Sequence, residues 1–404
     1  MSATSTPAVF TIGDARLFAP QAVPLTYRDR SWLQQATAEV RLLGRGGAAF
    51  PVATKLEGVR RGGYVVVNGT EGEPASWKDR TLMRTVPSLV INGALIVGKA
   101  LRSKGITIAV ADEQSHRALQ AAAGATAGGG AIRIERTVHD FVGGEVNALL
   151  NGLSGRPVAP SGRRRLPTVS GLDGQPTFAS NVETFAQIAL LAALGPREYA
   201  VAGTSAEPGT SLVTLLGDVP HPGVIEVPNG TPLARIVAAN GRPVLLGGYH
   251  GTWTMADDLS IERPALRARG VGWGAGVVAV LPDETCPLGE VARVMSWLAA
   301  ESIGQCGPCV FGLASIAHDL NDLAAGRTVD LARLRERVGL VEGRGACRHP
   351  DGAARFVATA LEAFGDEVRR HQNVGSCGRP TRGVLPVGTA RSTPQVRMQE
   401  MVRS

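Results

Sequence analysis

Cys306, Cys309 and Cys347 are the residues of this sequence best suited to hold a metal or run a redox reaction. Cys306-Gly307-Pro308-Cys309 sets two sulfurs about one turn apart, and Cys347 follows after chain enough for a helical hairpin. A CxxC pair near a helix suits a redox disulfide or half of a zinc site. Cys286 and Cys377 are either available to complete a site or inert buried thiols. Far upstream, Gly44-Arg45-Gly46-Gly47-Ala48-Ala49-Phe50-Pro51 has neither the GxGxxG nor the GxxxxGK[ST] spacing. Its consecutive glycines would still let backbone approach an anion beside Arg45 and Lys55, or would simply make a structural turn. The next loop carries Asn68, Glu71, Glu73 and Asp79, short polar side chains that suit ribityl or ribose hydroxyls and ring nitrogens, or an acidic surface loop. The seven histidines are scattered with no HExxH pair, and no GxSxG elbow supports a hydrolase.

The elements that must position these residues alternate between strand and helix. Residues 62–68 and 106–112 read as buried strands, 82–103 and 114–127 as helical, and 132–138 as strand. This predicts an α/β fold, a sandwich around a partly parallel sheet. Residues 156–180, rich in Pro, Gly and Arg, read as a long loop, and a helix is expected from about Asn181 to Leu194. The expected units are an N-terminal extension (1–30), the α/β domain (31–210), a small β-rich unit with one helix (211–248), a connecting segment (249–288) with one more strand at 276–282 that returns to the main layer or lies beside it, a helical bundle (289–371) and a tail (372–404). The tail is read as ordered only against a partner.

Composition narrows the class. A chain of 404 residues that is 44% hydrophobic is long enough for several compact units, and fibrous or wholly disordered readings fall away. Its 51 glycines imply many tight turns, in part through compositional bias. The net charge of +7 would allow an acidic partner, but basic residues are scattered except at Arg163, Arg164 and Arg165, and no nucleic-acid motif surrounds that run. Nothing reads as a secretory signal or a transmembrane segment, so a cytoplasmic protein, free or peripheral to a membrane complex, is expected.

The order and spacing of the loops resemble the family of NADH-binding flavoprotein subunits of respiratory complex I and its relatives in soluble NAD-linked hydrogenases and formate dehydrogenases. That family carries GRGGAGFP followed by a lysine, then N-A-D-E-x-E-P-G-x-x-K-D-R. Here Gly44 to Pro51 with Lys55, and Asn68 to Arg80, stand at those places. Its GxYICGEETAL resembles Phe141 to Leu149, and its PTxVNNVET resembles Pro176 to Thr184. The resemblance implies a Rossmann-like flavin-binding sandwich, then a β-grasp-like domain and a helical iron-sulfur domain. It implies FMN contacts from Gly44, Arg45, Gly46, Gly47, Phe50, Lys55, Asn68, Glu71, Gly144, Glu145, Asn181 and Thr184. NAD(P)H would be the substrate, with Phe50, Lys55, Glu73 and Glu145 near the nicotinamide, and no residue need act as general acid or base. Thr70, Val146 and Ser180 depart from the motifs, each removing a polar group or charge.

The family's ESCGxCxPCR and its later fourth cysteine hold a [4Fe-4S] cluster. Cys306, Cys309 and Cys347 match three of those ligands, but Ile303 replaces the first. A three-cysteine [4Fe-4S] cluster, a [3Fe-4S] cluster, rescue by Cys286, Cys377 or His349, and no metal are all open at this point. Arg344 and Arg348 would raise the potential of a cluster they faced. The implied function is FMN-dependent electron transfer from NAD(P)H toward an iron-sulfur cluster or a ferredoxin-like partner, with docking on a membrane complex as one setting. The alternatives are ferredoxin-dependent NAD(P) reduction and a noncatalytic relay or scaffold role.

Overall fold

The computed structural model describes residues 7–13, 15–19, 22–138, 140–163 and 166–388. His139, Arg164, Arg165 and the expected tail beyond residue 388 lie outside the described residues. Along the chain the strands are β1 Val9–Thr11, β2 Tyr64–Gly69, β3 Gly105–Val110, β4 Ile132–Arg136, β5 Thr177–Asn181, β6 Thr210–Gly217, β7 Gly223–Pro228, β8 Val244–Leu246, β9 Thr252–Thr254 and β10 Val277–Val280. The helices before β6 are α1 Arg30–Glu39, α2 Val52–Gly58, α3 Lys78–Thr85, α4 Pro87–Leu101, α5 Glu113–Ala125, α6 Val146–Leu153 and α7 Val182–Tyr199. Those after it are α8 Arg263–Ala268, α9 Pro287–Ala300, α10 Ala314–Ala324, α11 Leu331–Val341, α12 His349–Ala363 and α13 Gly365–Val374.

The first layer is a four-stranded parallel sheet in the order β4-β3-β2-β5. A parallel strand covered on both faces is apolar on both, which is why Val65, Val66 and Val67 are consecutive and fully buried. Val65 and Val67 join the core beneath α4 and α7, whereas Val66 joins Leu149 and Leu150 of α6 on the opposite face. The strand order runs outward from β2 through β3 to β4 and then returns to place β5 on the other side of β2. The crevice outside the carboxyl ends of β2 and β5 is therefore a topological switch point, where open α/β sheets bind ligands. Asn68 and Asn181 are register partners at those ends.

Pro87 at the start of α4 breaks the single helical segment expected over 82–103 into α3 and α4, which meet at 94°. No single described helix is long and apolar enough to cross a membrane. The apolar side chains of α4 are buried in the core with α7, where Gly93 brings the two backbones together: a Cβ there would stand 2.0 Å from the Phe185 carbonyl oxygen.

The second sheet has six strands in the order β1-β7-β6-β10-β8-β9 and mixes parallel and antiparallel pairs. It is wider than the unit expected at 211–248. β9 and β10, the latter at the strand expected over 276–282, come from the connecting segment, and β1 comes from the N-terminal extension. The N-terminal stretch is held by Glu226, whose carboxylate accepts from the N–H groups of Arg16, Leu17 and Phe18 and from the Thr210 hydroxyl. The helix expected in this unit reduces to one 3-10 turn, Leu233–Arg235.

The third unit packs α9 to α13 into a bundle whose core is shared with one side of the second sheet, including Leu216, Leu245, Trp253, Val277 and Ala279. A π-helical turn, Pro308–Leu313, precedes α10, and α12 and α13 are separated at Phe364. The expected tail is in part a strap on the chain itself. Gly383, Val384 and Leu385 donate their N–H groups to Glu290, and Leu385 is fully buried.

Gly93→Ala forces α4 and α7 apart and should lower stability by roughly 1–3 kcal/mol. A urea unfolding midpoint equal to that of the parent would show that the helices separate at no cost.

Candidate functional site

The glycine loop leans on the N-terminus of α7 beside the switch point. The Arg45 N–H donates to Thr184 Oγ1 at 2.9 Å, and a Cβ on Gly46 or Gly47 would find no heavy atom closer than 3.7 Å. The loop therefore presents bare backbone to open room, as close approach of a ligand requires. Gly47 also faces Gly274, from the chain leading into β10. Gly248 comes within reach of Glu73: a Cβ there would stand 2.6 Å from its carboxylate. Gly247, Gly248 and Gly274 all have positive φ and complete this edge of the site. Sequence reading missed them because they come from loops of the second sheet.

Lys55, in the last turn of α2, donates to the Ala179 carbonyl of β5 at 2.8 Å and lies 5.7 Å from the Phe178 ring centroid. No carboxylate among the described residues pairs with it, and burial draws its ammonium down to about 8. Phe50, at the end of the glycine loop, is 46% exposed, a large apolar ring left uncovered. Asn68 Nδ2 donates to the Gly144 carbonyl at 2.9 Å, while its Oδ1 accepts from Thr70 Oγ1 at 2.8 Å. Thr70, standing where the family has an acid, is thus spent on orienting Asn68. Glu145 caps α6 by accepting from the Ala148 N–H at 2.9 Å, and burial raises its pKa.

Two expected contacts are engaged elsewhere. Glu71 accepts from Ser76 Oγ (2.7 Å), Asp79 N (2.9 Å), Arg80 N (2.9 Å) and Arg80 Nε (2.8 Å). A carboxylate has about four such acceptor sites, so none is left for a ligand. Burial opposes its charge, but Arg80 and these N–H groups outweigh that and hold its pKa below the ordinary carboxylate range. The Arg45 side chain is 2% exposed and turns to Glu207 at 3.0 Å and Ser211 at 3.2 Å, with Glu183 at 3.8 Å. The Arg45 guanidinium is therefore engaged within the protein rather than presented beside the glycine loop.

Lys78 is the cation that sequence reading left out of the site. It is buried at the switch point, with Asp79 Oδ1 at 2.7 Å, Glu183 Oε2 at 3.1 Å and Asn181 Oδ1 at 3.2 Å. Asn181 also donates to Asp79 and caps α7 by accepting from the Glu183 N–H. The K-D-R triplet at residues 78–80 was the available signal for Lys78.

The second feature is a small cavity lined by Cys306, Cys309, Cys347, Ile303, Gln305, Val142, Ala346 and His349. Cys309 sits on the π-helical turn, a local distortion often found at functional sites. Burial and then the neighbouring Cys306 and Cys347 push its thiol well up, as expected of soft donors crowded together without a cation. Arg163 holds the opposite wall by donating to the carbonyls of Gly345 and Cys347 and pairing with Asp351. His349 lines the cavity with both ring nitrogens engaged, one by Leu298 O at 2.8 Å and the other by His250 at 3.1 Å. Cys286 and Cys377 group with His371 instead, so none of the three expected rescuers is free at this cavity. Arg348 pairs with Asp351 at 3.0 Å, and neither it nor Arg344 lines the cavity.

The two features share one piece of chain. Val142 lines the cysteine cavity, and Gly144, two residues on, accepts from Asn68 at the switch point. Their Cα atoms are at most about 7 Å apart. Phe141 fixes this segment: its N–H donates to Glu301 at 2.9 Å, and its ring packs on His250, Trp297 and His349.

Residues 37–190 match the family model described as the Nuo51 FMN-binding domain, and residues 289–371 match that of the NADH-ubiquinone oxidoreductase-F iron-sulfur binding region. The chain is 31% identical over 373 residues to the NADH-quinone oxidoreductase F subunit of Mycobacterium tuberculosis, covering 83% of each protein. It is 30% identical over 370 residues to the protein of the same name from Streptomyces coelicolor, covering 84% of this chain and 82% of that one. Among solved structures, an NAD+-reducing [NiFe]-hydrogenase in the air-oxidized state superposes with a TM-score of 0.81 at 26% identity, over 91% of this chain and 68% of that chain.

Glu73 carries a measurable signature of the site. Its carboxylate accepts from the Tyr249 N–H at 2.8 Å and the Ala75 N–H at 3.2 Å, yet burial pushes its pKa up to about 7. The folded chain thus keeps a proton that the unfolded chain releases near 4.5, so stability from this group is lost as pH rises from about 4.5 through 7. Glu73→Gln, which can still accept from Tyr249, should gain stability relative to the parent across that window, on the order of 3 kcal/mol. Urea titrations on both sides of the window check this, and a difference independent of pH would show that Glu73 ionises normally.

Proposed function

The chain belongs to the family of NADH-quinone oxidoreductase F subunits, and from that premise we propose that it binds FMN at the β2–β5 switch point, oxidises NADH there and delivers the electrons toward an iron-sulfur partner. The observation that carries the reading is the shared segment Phe141 to Glu145, which lines the flavin crevice at one end and the three-cysteine cavity at the other. The residues fit the flavin: bare glycine backbone, a lysine with no carboxylate partner, and an uncovered aromatic ring are what an anionic, planar cofactor needs. When bound, FMN accepts a hydride from the nicotinamide and passes its two electrons on one at a time.

This chain's part is to bind and orient. The backbone of Gly46 and Gly47 and the N-terminus of α7 at Asn181 and Thr184 would take the phosphate end, while Gly44 and Arg45, whose N–H groups are held by the Phe50 carbonyl and Thr184 Oγ1, would shape the loop. Asn68 and Gly144 would line the ring and ribityl chain. Lys55 supplies positive charge against the phosphate or the reduced ring. Phe50, Glu73 and Glu145 border the room left for the nicotinamide. Glu71 and the Arg45 side chain hold the frame. The units are accordingly residues 31–210 for flavin, a second sheet recruited from residues 8–280, and the bundle from residue 287 for the cluster.

The three-cysteine cavity suits an iron-sulfur cluster held by Cys306, Cys309 and Cys347, with no protein thiolate at the position of Ile303. The final acceptor would be a ferredoxin-like protein or another iron-sulfur component of a redox assembly, to which the chain docks peripherally. Hydride transfer is reversible, and the hydrogenase relative is named for reducing NAD+, so flow in the opposite direction is the second reading.

Anaerobic protein loaded with FMN should lose its visible flavin absorbance when NADH is added, and Lys55→Met should weaken FMN binding by roughly 10- to 100-fold. Flavin that NADH leaves oxidised, together with unchanged FMN affinity in Lys55→Met, would overturn the assignment. Ile303→Cys should increase the iron and sulfide retained per chain through purification in air. Retention that stays the same would place the cluster elsewhere or leave the cavity without one.

A further inference from the structure

We propose that Cys286, His371 and Cys377 form a second metal site, separate from the three-cysteine cavity, that takes a zinc-class divalent cation and fastens the C-terminal strap to the helical bundle. Their donor atoms all lie within 4.8 Å of one another. At bond lengths of about 2.3 Å to sulfur and about 2.0 Å to nitrogen, a tetrahedral ion holds S and N about 3.5 Å apart. Cys286 Sγ and His371 Nε2 are 3.5 Å apart.

The surroundings prepare each donor. Nδ1 of His371 is 3.1 Å from the Leu323 carbonyl, which fixes the proton on that nitrogen and leaves the Nε2 lone pair toward Cys286. This ring is 2% exposed, buried deep in the bundle. Cys286 is the N-cap of α9, and its sulfur accepts from the Gly289 N–H at 3.3 Å, which fixes the side chain toward His371. Cys377 is half-buried and comes from the strap, two residues beyond Gly375, whose positive φ ends α13. Arg379 lies beside it and pairs with Glu367, so no net positive charge is set against a cation.

Two thiolates and a neutral imidazole leave one position of a tetrahedral ion for water, reached from the exposed side of Cys377. Binding releases the two thiol protons to solvent and transfers no electrons. The site ties together three elements: the start of α9, the last turn of α13, and the strap that runs on through Pro380, bonded to the Cys286 N–H at 2.9 Å, to Glu290. Its role is structural. α9 leads directly toward the Glu301–Ile303 wall of the cysteine cavity, so the clasp anchors the far end of the helix that carries that wall.

The test uses the full chain, purified anaerobically and titrated with cobalt(II) as a spectroscopic stand-in for zinc. The expected result is one equivalent showing the ligand-field bands of a tetrahedral thiolate site, lost in Cys377→Ser and His371→Gln and retained in Cys306→Ser. Cys377 is half-exposed, so its serine variant should fold, and circular dichroism checks this. As a second reading, trypsin should cut after the exposed Arg382 several-fold faster in Cys377→Ser than in the zinc-loaded parent. Cobalt binding that survives Cys377→Ser, or is lost in Cys306→Ser, would overturn the proposal. So would a peptide map of the anaerobic protein showing Cys286 and Cys377 joined as a disulfide.

Discussion

Six charges buried between the flavin layer and the second sheet hold the molecule in register: Arg45, Lys78 and Arg263 against Asp79, Glu183 and Glu207. The signs balance, which is the condition for burying ions at all, since an uncompensated charge in such a place costs about 3–5 kcal/mol. Glu207 accepts from both arginines and from the Arg263 N–H, and burial together with the Arg45 charge draws Arg263 down to about 10. Glu183 reaches across to the Leu212 N–H of β6. The glycine loop, the starts of α3 and α7, and the second sheet therefore cannot move independently, and the switch-point crevice takes its shape from that restraint.

The network also explains a division of labour among the charged residues. Arg45 and Glu71 hold the walls of the crevice, and their side chains are spent in doing so. Lys55 has no carboxylate partner among the described residues, and Glu73 is a carboxyl whose burial raises its pKa to about 7. Groups in such environments are disposed toward a charged ligand in a way that a fully satisfied ion pair is not.

Electron delivery depends on a different economy. A flavin crevice and a cluster cavity in separate units would need a rigid bridge, and the turn before α6 provides one because Phe141 is wedged among His250, Trp297 and His349. The bundle contributes two of those rings through α9 and α12. Whatever steadies α9 therefore steadies the bridge, the strap and its hold on Glu290 included.

Local pattern was enough to reveal much of this chain. Consecutive valines in β2 mark a strand buried on both faces, Asn181 before α7 marks a helix start, and the loop motifs with their spacing identify the family, because backbone approach and capping need particular residues at fixed offsets. Pro87 was also legible as a break, yet the apolar run around it read as one helix. Long-range pairing was not legible. β1 is a short strand whose partner β7 lies far away in sequence, β9 is too short to show a period, and the apolar run of β10 reads as a strand without revealing its neighbours β6 and β8. The same holds for side chains: sequence could nominate Arg45, Glu71 and Lys55 as equal candidates, but only folding brought Glu207 to the first and Arg80 with Ser76 to the second, leaving the third unpaired. Sequence by itself determined the types of chemistry available, since these reside in residue identity and local spacing. Which groups remain free to use them was decided by the tertiary structure, because a charge or thiol is engaged or released only by neighbours that the fold supplies.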